Sequence, residues 1–582
     1  MNSEIKNCQN CKKDFVIEPD DFKFYEKIKV SPPTWCSYCR FIRKMTFINE
    51  RSLYKRVCGY CNKSIISMYH LDSQIKVWCL KCHISDVLNA CDYGIEYNFS
   101  QTFFKQFKKL KYSIPHRTLD QNERNGLGCE YSNFCFSSRN IYLSFFITSS
   151  ENIKYSKCFF KDNKNCIDCL IIKANDRGYE LVQSSSNYNS SFLVESNQCI
   201  ESHFLYDCSN CISCCLSSNL RNKSHVFKNQ QLSKKEYRSA VEALRLETYS
   251  GQLEAKDIFI QMTKKAIHKY AYIKNSINAV GDFIENSKNV YHCCGLVNAE
   301  NVKYTFFSSN TTKDSQDLLI TGKVEECYEF TLGGRGASRV ILSLSCGGGC
   351  KNLFYCDNCG DCSDCFGCVG LDKKQYFIFN KQYSKEEYFE MIEKIKKHMN
   401  DMPYIDSIGR KYHFGECFPT ELSPFAYNET VAFEEQPLSK EETISLGYKW
   451  RDMESKFYIP TIKVGVLPNS INNVKDNICD EIIECPNQGK IETQCTSAFN
   501  IVPDELAFYR QMNLPIPRYC PNCRYHQRLH WKNPFYFYKR QCMCNLLNHS
   551  HGEKCTNEFE TMYSSDRTEV IYCKECYQQE VY

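Results

Sequence analysis

The sequence predicts a mainly β fold: a duplicated parallel β-solenoid flanked by two zinc-ribbon-like four-cysteine modules, with helical insertions. Two observations support this prediction. CxxC cysteine pairs cluster near both ends of the 582-residue chain, and a short motif recurs at every dozen or so positions between the clusters. Several domains are expected, because a chain of this length exceeds the size at which one hydrophobic core stops growing.

The composition favours a cytoplasmic protein without a membrane partner. No run of about 18 apolar residues is present, and the stretch "MNSEIKNCQNCKKDF" lacks an apolar signal core. In that compartment, 40 cysteines argue against disulfides and favour metal ligands, buried small residues or reactive thiols. The formal net charge is only +5, so nucleic-acid affinity would have to come from local patches.

Four CxxC pairs lie close together near the start of the chain, between Cys8 and Cys82. One pair presents two thiolates to a metal, and two pairs about 15–25 residues apart complete a tetrahedral site. Zinc is the expected metal and iron the weaker candidate. We expect consecutive pairs to share a site, although a crossed arrangement would use the same ligands. The predicted ligands are Cys8, Cys11, Cys36 and Cys39, then Cys58, Cys61, Cys79 and Cys82.

The same module recurs near the C-terminus. A shift of 484 positions maps Cys36 and Cys39 onto Cys520 and Cys523, and after a ten-residue insertion the shift becomes 494. The insertion contains Cys544, His549 and His551, any of which could replace Cys542 as a ligand. Packing alone is the alternative role for these cysteines. Two modules predict about four zinc ions, the second set being Cys485, Cys495, Cys520, Cys523, Cys542, Cys555, Cys573 and Cys576.

Each module contains a basic, aromatic stretch, "TWCSYCRFIRKMTFINERSLYKRVC" and "RYCPNCRYHQRLHWKNPFYFYKRQC". Cations attract phosphates and rings stack on bases, which indicates a surface for RNA or DNA. The alternative is a solvated basic face whose rings complete a small core around each zinc. The predicted nucleic-acid-binding residues are Arg40, Arg43, Lys44, Lys55, Arg56, Arg524, Arg528, Trp531, Lys532, Lys539 and Arg540.

The middle of the chain repeats on two scales. A shift of 151 positions maps Cys208 onto Cys359, and short motifs such as "NCIDC", "NCISC" and "NLFYC" recur within each large unit. A strand and a turn in every dozen or so positions indicate a parallel β-solenoid with a narrow interior. The cysteines from Cys356 to Cys368 could bind metal, but their spacing continues the repeat and favours stacked, reduced thiols.

Helices are predicted outside the repeats. Ser233 and Ser384 begin capping boxes, and Ser439 is expected to cap a short helix in the segment after them. Two apolar stripes with helical spacing are expected to pack on the core: Tyr388, Met391, Ile392, Ile395 and Met399, and Ile258, Phe259, Met262, Ala266, Tyr270 and Ile273.

These features divide the chain into seven parts: 1–100 (first double zinc module), 101–230 (first solenoid block), 231–280 (helical insertion), 281–383 (second solenoid block), 384–400 (helix), 401–478 (extended connector) and 479–582 (second double zinc module). The order of parts resembles a family of uncharacterised cysteine-rich, multi-zinc-ribbon proteins of uncultured candidate-phyla bacteria and their phages. The resemblance covers nearly the whole chain and implies no activity. It is carried by "WCSYCRFIRK", "NCISCCLSSNLRNK", "FNKQYSKEEY", "FGECFPTELSPFAYNET" and "RYCPNCRYHQRLHWKNP".

Three classes of function remain open. The first is a non-enzymatic zinc protein that binds nucleic acid through its basic modules, and the second is a protein-interaction scaffold with structural zinc modules. The third is a carbohydrate-active enzyme, which would require clustered acids on a coil face and secretion. No GxxxxGK[ST], HExxH or GxSxG motif occurs, so we expect no enzymatic activity.

Overall fold

The computed structural model describes residues 2–121, 128–308, 310–452 and 458–582. Strands make up 31% and helices 24% of the structure. The chain is therefore strand-rich, as predicted, but contains more helix than a mainly β protein. Within these ranges, no helix is both long enough and apolar enough to cross a membrane.

The first cysteine module uses two β-hairpins and short helices. The turn of each hairpin carries one CxxC pair, and the next pair begins a helix, with Cys36 and Cys79 as N-caps. The elements are β1 (Glu4–Asn7), β2 (Asp14–Ile17), α1 (Pro19–Ile28), α2 (Ser37–Met45), β3 (Tyr54–Val57), β4 (Ser64–Ser67), β5 (Val77–Trp78) and α3 (Leu80–His83).

Helix α4 (Phe103–Ser113) and strand β6 (His116–Arg117) precede the repeats. The helix was missed by sequence analysis, although Phe103, Phe107 and Leu110 have helical spacing and are buried. Strand β6 pairs in parallel with β5, so the chain leaving α4 returns to the first cysteine module.

The first ladder is a stack of mostly parallel strands between residues 129 and 231. Lys164 pairs with Asp176 on the next strand, and Glu151 pairs with Lys164, so paired positions are about a dozen apart and the predicted repeat length is confirmed. Ten strands form one sheet and β8 pairs separately with β10. The strands are β7 (Cys129–Glu130), β8 (Asn133–Phe136), β9 (Arg139–Tyr142), β10 (Phe145–Thr148), β11 (Glu151–Lys154), β12 (Lys164–Ile167), β13 (Asp176–Tyr179), β14 (Tyr188–Val194), β15 (His203–Tyr206), β16 (Cys215–Ser218), β17 (Val226–Phe227) and the antiparallel β18 (Gln230–Gln231).

Each repeat bends back on itself to form one coil of the ladder. Backbone φ is positive at many positions that are three residues apart, for example at the corners Asn165, Asp168 and Ile171, and the residue after each of these three corners is buried. Bridges such as Leu170 to Val182 repeat the same offset on a second side of the coil. Such short sides leave a narrow interior, which in the first ladder is filled mainly by Cys, Ser, Ile and Leu side chains.

Serine suits this interior because its hydroxyl satisfies backbone groups. Ser184 Oγ donates to the Val182 carbonyl at 2.8 Å, and it accepts from the amide of Ser196, one coil later, at 3.2 Å. Buried backbone groups need such partners. The recurring Ser of the short motif is therefore explained by the backbone groups that it satisfies.

Helices α5 (Lys234–Ala243) and α6 (Tyr249–Lys265) and strand β19 (Ile267–Lys269) follow the first ladder. Ser233 caps α5 through the predicted capping box. The predicted helical stripe is wrong at its end: Ala266, Tyr270 and Ile273 lie beyond α6. The helix stops because residues 267–269 are taken up by strand pairing.

The second ladder is also parallel, except for its last strand. It begins at Ile273, before the predicted start at Gly281, which lies in a β-bulge. Its strands are β20 (Ile273–Lys274), β21 (Ile277–Glu285), β22 (Lys288–Val297), β23 (Ala299–Lys303), β24 (Phe306–Ser308), β25 (Thr312–Gln316), β26 (Leu319–Glu325), β27 (Thr331–Ile341), β28 (Lys351–Phe354), β29 (Ser363–Phe366), β30 (Gln375–Ile378) and β31 (Lys381–Gln382).

Part of the second ladder departs from a simple stack of coils. Strands β22, β23, β25, β26 and β24 pair in a closed ring of five parallel strands. The ring closes because β22 and β26 are long enough to turn a corner: β22 pairs with both β23 and β24, and β26 pairs with both β24 and β25. This region is a small closed barrel, which the repeat spacing did not predict.

The cysteines of the second ladder point inward, as the stacked interpretation predicted. The Cys356 thiol lies 3.5 Å from the carbonyls of Phe354 and Cys365. Burial raises the pKa of the Cys356 thiol well above its usual value, which keeps it protonated. Across the described residues, no potential metal-binding group includes a cysteine between Cys356 and Cys368.

Helix α7 (Lys385–Asp401) follows, capped by Ser384 as predicted, and it buries Tyr388, Ile392 and Ile395. The connector is less extended than expected. It contains β32 (Tyr404–Ile405), β33 (Lys411–Tyr412), the unpredicted α8 (Val431–Glu435), α9 (Lys440–Ser445) and several 3-10 turns. Ser439 caps α9 as predicted.

The second cysteine module repeats the plan of the first. Its strand β38 pairs in parallel with β19, as β5 pairs with β6 in the first. The elements are β34 (Ile483–Glu484), β35 (Ala498–Phe499), α10 (Pro503–Gln511), α11 (Pro521–Leu529), β36 (Tyr538–Gln541), β37 (Glu558–Thr561), β38 (Val570–Tyr572) and α12 (Lys574–Val581).

Each ladder is covered by a helix that lies outside it in sequence. Phe103 of α4 packs on Tyr355 of the second ladder, with ring centroids 5.1 Å apart. Phe259 of α6 packs on Phe204 of the first ladder at 5.8 Å. We call the first cysteine module, α4 and the second ladder half A, and the second cysteine module, α6 and the first ladder half B.

Candidate metal centres and the basic helices beside them

In half A the structure brings the eight predicted cysteines together as two groups of four. The first is Cys8, Cys11, Cys36 and Cys39, and the second is Cys58, Cys61, Cys79 and Cys82. The sulfur atoms within each group all lie within 4.8 Å of one another. Consecutive CxxC pairs therefore share a group, as predicted.

Half B contains the corresponding two groups with the same spacing. They are Cys485, Cys495, Cys520 and Cys523, and Cys542, Cys555, Cys573 and Cys576. Insertions lengthen two of the turns, but the ligand sets are unchanged. Cys542 keeps its place, so the alternative in which Cys544, His549 or His551 replaces it is wrong. These three residues instead form a fifth group with Cys576.

One backbone contact recurs in all four cysteine groups. The N-cap amide of each helix donates to the sulfur of the first cysteine: Cys36 to Cys8, Cys79 to Cys58 and Cys573 to Cys542 at 3.2 Å, and Cys520 to Cys485 at 3.3 Å. An amide donor stabilises a thiolate. Each group of four convergent sulfurs can therefore hold one metal ion, and four sulfur donors suit zinc.

Three of the five basic residues predicted to contact nucleic acid in half A, those on helix α2, are buried. Arg40 and Arg43 are 2% and 0% exposed. The Arg40 guanidinium pairs with Asp317 at 2.7 Å, and Arg43 pairs with Glu329 at 2.8 Å. Lys44 donates to the Asp317 carbonyl at 2.6 Å. Helix α2 therefore inserts its cations into the second ladder.

Half B repeats this arrangement on the first ladder. Arg524 and Arg528 both pair with the buried carboxylate of Asp168, at 2.8 and 2.9 Å, and Arg528 lies 3.9 Å from Glu180. The Arg524 guanidinium also covers the ring of Tyr155. Lys532 pairs with Glu435 of the connector.

The geometry of a helix and of a ladder explains why these charges meet. Asp168 and Glu180 are separated by one coil of the ladder, and both occupy positive-φ corners. Neighbouring strands are about 4.8 Å apart, and one helical turn rises about 5.4 Å. A helix lying across the rungs can therefore match residues one turn apart to acids one coil apart. Asp317 and Glu329 repeat the same spacing.

Most of the predicted nucleic-acid residues are consequently wrong as a solvent-facing surface. Arg40, Arg43, Lys44, Arg524, Arg528 and Lys532 are held by carboxylates or carbonyls inside the protein, because a buried cation is stable only when paired. Arg56 and Arg540 donate to backbone carbonyls, and Trp531 packs on Phe259 at 5.4 Å. Only Lys55 and Lys539 of this set are exposed.

Sequence reasoning missed the acids of these pairs. Asp168, Glu180, Asp317 and Glu329 lie far from the helices that they bind. A signal was present, since a shift of 149 positions maps the first two acids onto the last two, and Tyr155 onto Tyr304. A duplication that preserves buried charges indicates a shared docking contact.

The halves differ beside the docked helices. Half B contains a cavity of about 550 Å³, lined by residues that include Glu195, Tyr206, His268 and Trp531. The corresponding cavity in half A, lined by Lys111, His116 and Asp357 among others, is only about 60 Å³. Two equivalent histidines, His116 and His268, thus face spaces of very different size.

Comparisons with protein-family models, with curated proteins and with solved structures find no match to this chain.

Proposed function

We propose that this protein is a non-enzymatic scaffold in which two zinc-bound modules clamp two parallel β-solenoid blocks together. Four-sulfur donor sets favour zinc among the common metals. The parallel pairing of each coil with the next and the inward small residues support the description of the ladders as solenoid blocks, with the closed ring as a local elaboration.

One observation carries the proposal: each metal module sends a basic helix into a ladder that is distant in sequence. Arg40 reaches Asp317, and Arg524 reaches Asp168. The same helices begin at the metal-binding cysteines Cys36 and Cys520. A metal that fixes the helix N-terminus would therefore also fix the cations that follow one turn later.

A protein partner suits this arrangement better than a nucleic acid. Nucleic-acid binding depends on cations that can reach phosphates, and the modules use most of theirs internally. The outer face of the first ladder carries Tyr188, Ile200 and Ile212, which are 40%, 39% and 46% exposed and stacked in register. Solenoids commonly use such extended faces for protein contacts.

The proposal is tested by removing the metal from the full chain and by titrating oligonucleotides. A zinc chelator should expand the protein in small-angle scattering, and zinc should restore the compact form. Single-stranded and duplex oligonucleotides should bind weakly, without a steep salt dependence. Unchanged dimensions after verified metal loss would contradict the clamp, and tight, salt-dependent binding would favour the nucleic-acid function.

A further inference from the structure

The second cysteine module carries a loop that the first module lacks. Between Cys542 and Cys555 the turn has grown by ten residues relative to Cys58 and Cys61. The loop contains Cys544, His549 and His551, and it folds back so that all three approach Cys576. Their ligand atoms and the Cys576 sulfur lie within 4.8 Å of one another.

The histidines of this group have the environment of metal ligands. His549 Nδ1 lies 3.2 Å from the Cys544 sulfur, while its Nε2 lies 2.9 Å from Glu580 of α12. A carboxylate on the far nitrogen of a ligating histidine fixes the ring and directs the other nitrogen to the metal. Both ring nitrogens of His551 are buried without a hydrogen-bond partner, so a bound metal would satisfy an otherwise unpaired group.

Cys576 belongs to two groups at once. It completes the four-sulfur group with Cys542, Cys555 and Cys573, and it is the fourth member of the group with Cys544, His549 and His551. We propose that two of the three zinc ions of this module, those of the Cys542 group and of the Cys544 group, are bridged by the Cys576 thiolate. Five thiolates and two neutral imidazoles around two divalent ions leave a net charge of about −1, lower in magnitude than an isolated four-thiolate site.

The proposal rests on zinc occupying the predicted sites and is tested by native mass spectrometry of the full chain loaded with zinc. Five ions are expected, one for each group. His549→Ala combined with His551→Ala should lower the count to four. Asn548→Ala with Ser550→Ala, on exposed positions of the same loop, should keep five. Four ions in the wild type, or five in the double histidine variant, would overturn the proposal, whereas no bound zinc would contradict the proposed function itself.

The bridge is tested by comparing two cysteines of the same site. Cys576→Ser should remove two ions and Cys573→Ser only one, although both remove one ligand from the four-sulfur group. Equal losses would contradict a shared thiolate. Cobalt substitution gives a second readout in case Cys576→Ser fails to fold. The double histidine variant should lose the absorption of a mixed sulfur and nitrogen site and retain that of the four-sulfur sites, and an unchanged spectrum would overturn the proposal.

Glu580 supplies a milder test that leaves every ligand in place. Glu580→Gln removes the carboxylate from His549 Nε2 and should weaken the fifth zinc by roughly 10-fold or more. Competition with a chromogenic chelator measures this affinity. If the chelator removes the fifth zinc equally easily from the wild type and from Glu580→Gln, a role for His549 as a ligand of that ion would be contradicted.

Discussion

Each half of the molecule contains the same buried ion pair between a helix of the cysteine module and a ladder, which we call the clamp. The halves differ in the cavity beside it. In half A, Arg40 of α2 pairs with Asp317 at 2.7 Å, and in half B, Arg524 of α11 pairs with Asp168 at 2.8 Å. The rings of Tyr304 and Tyr155 accompany the two arginines at equivalent positions. The duplication has kept the buried charges, which indicates that they are the structural requirement of the fold.

The neighbouring cavities have diverged. Half A fills its space with an ion pair between Lys111 and Asp357, 2.8 Å apart. Half B has Thr263 and Tyr206 at the corresponding places, and the Tyr206 hydroxyl is 2.6 Å from His268 Nδ1. Half B has no charged pair at these two places, and its cavity is the larger one. The buried ion pairs between helix and ladder are therefore common to both halves, whereas the cavities beside them differ.

The largest effect is expected from removing a clamp carboxylate. Asp168→Ala leaves two arginines buried without their shared carboxylate, and Asp317→Ala leaves Arg40 without its carboxylate and removes the 3.5 Å side-chain contact of Lys44. Breaking a buried pair costs about 3–5 kcal/mol. Urea unfolding should show losses of this order in both variants. Asp20→Ala, on an exposed ion pair with Lys23, should leave unfolding unchanged, and equal behaviour of all three variants would contradict the clamp.

A smaller effect is expected from the ion pair that only half A possesses. Lys111→Met leaves the buried Asp357 carboxylate unpaired, at a cost of about 2 kcal/mol. Thr263→Val at the corresponding place in half B should cost less, since no charge is left behind. Thermal unfolding of the two variants measures the difference. A larger loss for Thr263→Val would show that the cavities do not correspond.

The two cavities should also differ in pH dependence. In half B, burial raises the pKa of Glu195 to about 8, above its unfolded value of about 4.3. The folded state then holds a proton that the unfolded state releases, so this group's contribution to stability falls as pH rises from about 4.3 to 8. Glu195→Gln should flatten the decline in the free energy of unfolding when it is measured across this pH range. An unchanged slope would contradict a raised pKa for Glu195 in the folded protein.

The smallest effect is expected from the ladder interior. Cys359→Ser in the second ladder introduces a hydroxyl of the kind that Ser184 uses in the first. The change in the free energy of unfolding should stay within about 1 kcal/mol, and the zinc content should not change. Loss of a metal ion from this variant would show that the stacked thiols are ligands after all.

The sequence was sufficient for features that depend on local spacing. The CxxC pairs identified the two cysteine groups of half A, the internal duplication extended them to the two of half B, and the period of the short motif identified the parallel strands. It was insufficient where a contact joins distant segments. Arg524 and Asp168 carry no local sign of pairing, so a basic helix resembled a nucleic-acid surface. Helix α4 was missed because it lacks a capping box, and the closed ring depends on how far β22 extends around its corner.

Amide hydrogen exchange of the metal-depleted full chain tests the central claim most directly. The account predicts that removing zinc will strip protection from α2 and α11 together with the ladder corners at Asp317 and Asp168, while the buried strands between Asp176 and Tyr206 stay protected. Adding zinc should restore protection to both helices and both corners in parallel. Helices that lose protection while the corners are unaffected, or corners that exchange equally with and without zinc, would contradict the role of the metal modules as clamps.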